Sequence, residues 1–157
     1  RRRRRRVGRI DDGLQGFMPK GSESWAMLRN LLVDTDTIAD PVIRQDAMRI
    51  YSWQQIARFT SLRANAQAEA GKVAGPEVSL GKLASTRAMR AWRDLTLRAL
   101  GSQGMLNGPD GALDGRITQI GLSVSGMSIA GGTDEIQRNI VGEQVLGLPR
   151  EPRAPGK

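Results

Sequence analysis

Apolar residues recur at steps of three and four in several segments of this chain, and each segment lies between helix start and stop signals. The clearest case begins at Asp40-Pro41, where a carboxylate can cap the helix and proline suits its first position. Gly71 suits the position after its last turn. One face of this predicted helix carries five apolar residues: Ile43, Ala47, Ile50, Trp53 and Ala57.

The same pattern recurs along the rest of the chain. Four further segments show it: one capped by Ser22, one running from Pro76-Glu77 to Gly101, one short helix within residues 115–128, and one from Thr133 to Gly147. No segment shows a convincing strand pattern, and there is no internal repeat. The sequence therefore predicts an all-α, up-and-down four-helix bundle with short connections.

The apolar stripes are wide and rich in small residues, which predicts close helix packing and burial on more than one side, in an oligomer or beside another domain. The second long helix has a stripe of six residues: Leu80, Ala84, Ala88, Ala91, Leu95 and Ala99. Aromatic residues make up only 4% of the chain, so the core must be mainly aliphatic. The three tryptophans are interpreted as core or interface fillers.

The chain contains neither cysteine nor histidine, which excludes several kinds of chemistry. Disulfides, thiolate catalysis, cysteine-ligated metals and a Ser-His-Asp triad are all ruled out, and no metal site is predicted. No apolar run reaches the roughly 18 residues of a membrane span, and no apolar segment follows the basic start as in a secretory signal. We therefore expect a cytoplasmic location.

The net charge of +8 is concentrated at the start of the chain. Arg1 to Arg6 and Arg9 supply seven of the 24 basic residues, and the remaining 17 face 16 acidic ones. We divide the chain into an arginine-rich, disordered head (1–21), the bundle (22–150) and a tail (151–157). The head is either an arm for nucleic acid or an anionic membrane, or an unusual start of the coding frame; nucleic-acid binding is the less favoured interpretation.

Three motifs resemble a known family. The stretch GGTDEIQRNIVGEQVLGLPR (131–150) resembles the C-terminal signature of the acyl-CoA dehydrogenases, in which a Gly-Thr turn leads into a helix reading close to SEIQRNIIAERVLGLPR. DPVIRQ (40–45) resembles a helix start common in the actinobacterial branch. GPEVSLGKL (75–83) and ALGSQGML (99–106) resemble two family motifs that occur in the same order.

This resemblance implies an FAD-dependent oxidoreductase of lipid metabolism, including fatty acid β-oxidation, that acts on acyl-CoA thioesters. In the family, a carboxylate removes the α-proton, and the β-hydrogen leaves as hydride to FAD, from which an electron-transfer acceptor is reduced. The chain corresponds to the C-terminal helical domain, or to a truncated subunit. The resemblance implies homo- or hetero-oligomers formed through the bundle. It also implies that FAD binding needs the missing domains or a partner subunit, so the isolated chain is expected to be inactive.

The resemblance also assigns residues at the Gly-Gly-Thr turn. In many members of the family the catalytic glutamate directly precedes the Gly-Thr pair, and that position is Gly131 here. Other branches place it on the first helix of this domain, a position that corresponds to residues 8–12, where this chain has no glutamate, so no catalytic residue is predicted. Gly132 and Thr133 match the turn that meets the flavin nucleotide, and Glu135 matches a position near the adenosine. On sequence physics alone, Thr133 is a helix cap. Because the base is missing, a non-catalytic helical scaffold or partner subunit is the alternative function.

A second group of cofactor residues is predicted at the end of the second long helix. Gly101 and Gly104 fall on the loop that, in the family, meets the adenine end of FAD across the dimer interface. Arg98 stands where a glutamine usually opens that loop and is a candidate phosphate ligand. Lys82 is interpreted as a surface or subunit-interface charge, and Gln137 and Arg138 as a solvated helix face that the resemblance makes candidate interface residues.

Overall fold

The computed structural model describes residues 21–71, 75 and 77–150. These residues form five α-helices: α1 (Gly21–Asp34), α2 (Pro41–Glu69), α3 (Glu77–Leu100), α4 (Arg116–Met127) and α5 (Asp134–Ile140). Short 3₁₀ helices lie at Thr37–Ala39, Gly101–Met105 and Gly108–Asp110. Nothing in these ranges forms a β-strand, which confirms the predicted all-α class. Residues 1–20 of the predicted head, the predicted tail (151–157) and Pro76 lie outside the described residues, whereas Gly21, which was assigned to the head, is the first residue of α1.

The local start and stop signals act as predicted at the ends of α2. The Asp40 carboxylate accepts hydrogen bonds from the backbone N–H groups of Val42 (2.7 Å) and Ile43 (3.3 Å). These bonds satisfy two donors that the first turn of a helix leaves unpaired. Gly71 follows the helix with φ = 76°, a left-handed conformation that glycine adopts without steric cost.

α3 lies at the centre of the bundle and contacts α1, α2, α4 and α5. Its residue Trp92 is fully buried, and its indole Nε1 donates a hydrogen bond to the carbonyl oxygen of Ser24 on α1 (3.2 Å). The interpretation of Trp92 as a core residue is therefore confirmed. The deepest apolar side chains around it come from four helices: Leu28, Leu32, Ile50, Leu95, Ile117, Ile120 and Val124.

The predicted apolar stripes are covered over only part of their length. On α2, Ile43, Ala47 and Ile50 are buried within the chain, whereas Ala57 is exposed, so its burial against another subunit or domain stays a prediction. On α3, Leu95 and Ala99 are buried whereas Leu80 and Ala84 are exposed. Helical periodicity identifies an apolar face, but whether that face is buried depends on neighbouring elements. Three larger apolar residues are also exposed along the second half of α2: Ile56, Phe59 and Leu62.

The final helix is shorter as an α-helix than predicted. α5 ends at Ile140, and a π-helical turn (Val141–Val145) continues it, closed by a hydrogen bond from the Leu146 N–H to the Val141 carbonyl (3.1 Å). Gly147 then ends the element with φ = 68°. Among the described helices, none is both long and apolar enough to cross a bilayer.

Candidate functional site

The Gly131–Thr133 segment forms a tight turn between α4 and α5. Gly131 (φ = 68°) and Gly132 (φ = 91°) both adopt left-handed backbone conformations. The Thr133 hydroxyl then accepts a hydrogen bond from the Ile136 N–H (3.3 Å) and caps α5. The helix-capping interpretation of Thr133 is confirmed.

Lys82, near the start of α3, is hydrogen-bonded to this turn although it lies about fifty residues earlier in the sequence. Its Nζ donates to the carbonyl oxygens of Ser128 (3.2 Å) and Gly132 (2.8 Å) and to Oδ1 of Asp134 (3.0 Å). An ammonium group has three donors, and all three are used here. Only 21% of the Lys82 side chain is exposed, so Lys82 is not a solvated surface charge; its alternative role as a subunit-interface charge stays a prediction.

Asp134 is the buried acceptor of this arrangement, with only 6% of its side chain exposed. Its second oxygen, Oδ2, accepts from Nη2 of Arg90 at 3.0 Å, and Arg90 also donates to the Ser128 hydroxyl. The hydrogen bond from Lys82, helped by the charges of Lys82 and Arg90, outweighs burial and lowers the pKa of Asp134 below its usual value. This carboxylate is therefore held ionised between two cations.

Gln137 fixes the other glycine carbonyl of the turn. Its Nε2 donates to the carbonyl oxygen of Gly131 at 2.7 Å, and the residue is only 9% exposed. Gln137 was therefore wrongly interpreted as part of a solvated face, whereas the exposed Arg138 does lie on one. We call Lys82, Arg90, Asp134 and Gln137 the turn clamp, because together they bind the carbonyl groups and the first helical residue of this turn.

The sequence contains one signal for the turn clamp that was missed. Lys82, Thr86 and Arg90 are spaced by four residues and so project from one face of α3. Thr86 is buried in the middle of this row, and its hydroxyl bonds the Lys82 carbonyl (3.0 Å). A polar row of this kind with a buried member indicates that something polar packs against that face of the helix.

The carboxylate of Glu135, which was predicted as a cofactor residue, is exposed to solvent. Its side chain is 75% exposed and pairs with Arg138 at 3.2 Å. A hydrogen bond from its own backbone N–H and a smaller contribution from a hydrogen bond with the Thr133 hydroxyl lower the pKa of the Glu135 carboxyl. Gly132, Thr133 and Glu135 thus lie together on one turn, as their adjacent positions require.

The second predicted group lies at the far end of α3. Arg98 is paired with Asp46 of α2 (3.0 Å), Gly101 is exposed, and Gly104 is buried against Leu97. Arg98 is sixteen residues from Lys82 on the same helix, or about 24 Å at the usual helical rise. Within one chain, the structure therefore does not bring the two predicted groups of cofactor residues together.

Replacing Gly132 with alanine is expected to lower the free energy of unfolding by about 1–2 kcal/mol. The new Cβ would lie 2.9 Å from Nε2 of Gln137 and would adopt a strained φ of +91°. Gly131→Ala is the matched control, because its φ is also positive but its Cβ would meet no atom within 4 Å. Urea unfolding of both variants measures the difference. Equal losses would show that the contact with Gln137 contributes nothing.

The chain should lose stability in acid because of Asp134. The folded-state pKa of this carboxyl lies below its usual value near 3.8, so folding favours the ionised form. That stabilisation is present above the unfolded pKa and is lost as the pH falls through the folded pKa. Urea unfolding between pH 7 and pH 2.5 should therefore show that the free energy of unfolding falls less steeply with pH in Asp134→Asn than in wild type. The exposed Asp34→Asn variant is the control. If its free energy of unfolding fell with pH as gently as that of Asp134→Asn, Asp134 would not be the cause of the acid sensitivity.

Comparison with curated proteins shows similarity to two enzymes of Mycobacterium tuberculosis. The chain is 36% identical over 118 residues to acyl-CoA dehydrogenase IpdE1, which covers 71% of this chain and 28% of that protein. It is 28% identical over 135 residues to acyl-CoA dehydrogenase FadE26, covering 82% of this chain and 34% of the relative. The chain therefore spans only about a third of the length of the curated relatives it matches.

Two solved structures share this fold. The Tcur3481-Tcur3483 steroid acyl-CoA dehydrogenase has a TM-score of 0.74 at 22% identity, covering 87% of this chain and 37% of that one. The ChsE4-ChsE5 complex of Mycobacterium tuberculosis has a TM-score of 0.71 at 20% identity, covering 85% and 38%. These similarities confirm the predicted bundle type. The model of the acyl-CoA dehydrogenase C-terminal domain matches residues 22–146, so the chain belongs to the acyl-CoA dehydrogenase family.

Proposed function

We propose that this chain is the C-terminal helical part, or a truncated subunit, of an FAD-dependent enzyme that dehydrogenates acyl-CoA thioesters between Cα and Cβ. The observation that carries this proposal is the Gly131–Thr133 turn, held rigidly by the turn clamp in a chain that belongs to this family. This turn is hydrogen-bonded to the protein on one side and open on the other. Such a turn suits a ligand contact, because it loses little conformational entropy when the ligand binds.

The residues of the turn fit one end of a flavin nucleotide. An added Cβ at Gly131 would meet nothing within 4 Å, so the outer side of the turn is open to a ligand. The Thr133 hydroxyl can donate a hydrogen bond to a ribose or phosphate oxygen, and the exposed Glu135 carboxylate can accept one from a ribose hydroxyl. Bound FAD would supply the hydride acceptor. The contribution of this chain is to position that nucleotide by its backbone and by Thr133 and Glu135.

The second group supports an assembly of more than one chain. Arg98, Gly101 and Gly104 lie about 24 Å along α3 from the turn, so they suit contacts with a different copy of the cofactor. Two of the similar structures are named as pairs of components, Tcur3481-Tcur3483 and ChsE4-ChsE5. By analogy, we propose that this chain works in a homo- or hetero-oligomer whose other parts complete the acyl-CoA cleft.

The catalytic base must come from outside the described turn. Gly131 has no group that takes a proton. Asp134 cannot replace it, because it is buried, bonded to Lys82 and Arg90, and has a lowered pKa that makes it a weaker base. The lowered pKa of Glu135 likewise disfavours proton uptake. These observations also favour the second candidate function, a non-catalytic helical subunit of such an enzyme.

The decisive experiment is reconstitution with candidate partner subunits of the acyl-CoA dehydrogenase family. Purified assemblies with and without the chain are supplied with FAD, an acyl-CoA and an artificial electron acceptor, and both bound flavin and turnover are measured. Dependence of both quantities on the chain, reduced by Thr133→Val but not by the exposed Arg63→Gln, would support the catalytic assembly. Turnover that is unchanged when the chain is omitted would leave only the scaffold function. Stoichiometric FAD on the isolated chain would contradict the need for a partner.

A further inference from the structure

An open cleft lies between the first half of α3 and the α5 helix, next to the turn clamp. Its volume is about 330 Å³, enough for a small polyatomic ligand. Six residues line it: Leu83, Ala84, Arg87, Arg90, Asp134 and Arg138. Three of these side chains are guanidinium groups, and only one is a carboxylate.

The single carboxylate of this cleft is already neutralised. Asp134 is bonded to Lys82 and Arg90, which together carry two positive charges against its one negative charge. Arg87 and Arg138 therefore add positive charge that nothing inside the cleft compensates. The outer partner of Arg138 is Glu135, which is 75% exposed, and such solvent-exposed pairs bind weakly.

In a second cleft of the same molecule, the positive and negative charges are equal in number. This cleft has a volume of about 180 Å³ and contains two arginines, Arg49 and Arg98, with two aspartates, Asp46 and Asp94. Asp46 bonds both arginines at 3.0 Å. This second cleft therefore does not share the excess positive charge of the cleft beside the turn clamp.

Arg87 is held in place without using its hydrogen-bond donors. Its Cζ lies 4.5 Å from the ring centroid of Trp53 on α2, a cation–π contact. Among the described residues, no carboxylate lies within salt-bridge distance of Arg87. Its N–H groups therefore remain available to a planar or tetrahedral anion.

We propose that this cleft binds a phosphate or diphosphate group through Arg87 and Arg138, with Arg90 and Lys82 adding positive potential. Guanidinium groups form paired, charge-assisted hydrogen bonds with phosphate oxygens, and a concave basic surface concentrates anions. The inference rests on the charge and geometry of the cleft and is independent of the proposed catalytic assembly. FAD and coenzyme A both carry a diphosphate, so either is a natural source of the group.

The test is a titration of the full chain with inorganic pyrophosphate at low ionic strength, followed by NMR of backbone amides and arginine side chains. Site-resolved signals are needed because the arginine-rich head also attracts anions. Saturable shifts are expected for Arg87, Arg138 and their neighbours in the cleft. Arg87→Gln and Arg138→Gln should each weaken the affinity at these signals by about tenfold. Arg49→Gln is the control, because Arg49 is about as exposed as Arg138 and is paired to Asp46 at i,i+3 as Arg138 is to Glu135. It should leave the affinity at the cleft signals unchanged.

Three outcomes would overturn the proposal: shifts confined to residues 1–9, equal losses in all three variants, or no saturation of the cleft signals. Competition then identifies the source of the phosphate. Displacement of pyrophosphate by FAD assigns the cleft to the cofactor, and displacement by coenzyme A assigns it to the substrate carrier. In either case, the pyrophosphate result stands whether or not the reconstituted assembly turns over.

Discussion

Lys82→Met should lower the free energy of unfolding by about 2–3 kcal/mol and disorder the Gly131–Thr133 turn. Methionine keeps most of the length of the side chain but removes all three donors. The Ser128 and Gly132 carbonyls lose their partner, and the buried Asp134 retains only Arg90. Urea unfolding gives the stability, and the NMR signals of residues 128–137 report whether the turn remains in one conformation.

Two further variants isolate the role of Lys82. Arg63→Met removes one charge from the exposed second half of α2, where no salt bridge is formed, and should change stability by less than about 0.5 kcal/mol. Asp134→Asn and Lys82→Met should be strongly non-additive when combined, because they disrupt the same contact. Additive losses, or an unchanged turn spectrum in Lys82→Met, would refute the turn clamp.

Trp92→Ala should have the largest effect on stability, a loss of about 3–5 kcal/mol. The side chain is fully buried at the centre of α3, and its removal leaves a cavity among residues of four helices. It also leaves the Ser24 carbonyl without its indole donor. Since a domain of this size is stable by only about 5–15 kcal/mol, the variant should be close to unfolding at physiological temperature. Thermal unfolding followed by circular dichroism measures the loss.

Trp53→Ala serves as the comparison for Trp92→Ala. Trp53 is only half-buried, so its removal exposes less apolar surface and opens no enclosed cavity, and the loss should be less than half as large. Trp92→Phe keeps most of the volume and measures the hydrogen bond to Ser24 separately. Similar losses for Trp53→Ala and Trp92→Ala would mean that the core is not centred on α3.

The elements that were predicted correctly are those specified within a few residues of sequence. The Asp40 cap, Gly71 and the Thr133 cap each act on their own or the next turn of backbone. The Gly-Gly-Thr turn was also identified by its resemblance to the family. None of these predictions depends on which other element packs nearby.

The elements that were missed or left untested depend on distant parts of the chain. Ala57 carries the right spacing for burial, but no described element covers it. Lys82 appears as an ordinary helical lysine in the sequence, and its partners follow it by 46 to 52 residues. Only the folded arrangement of α3 against α5 turns a solvated charge into the centre of a hydrogen-bonded network.

These long separations mean that the candidate site cannot be assembled locally. Bringing Lys82 to Gly132 closes a loop of roughly fifty residues, which costs the chain about 3.5 kcal/mol of entropy beyond a fixed term. That cost is met only when α3, α4 and α5 pack together, so the order of the turn is a property of the whole bundle. A synthetic peptide of residues 128–146 would contain every residue of the turn and its cap, yet it would lack both cations that hold them, Lys82 and Arg90.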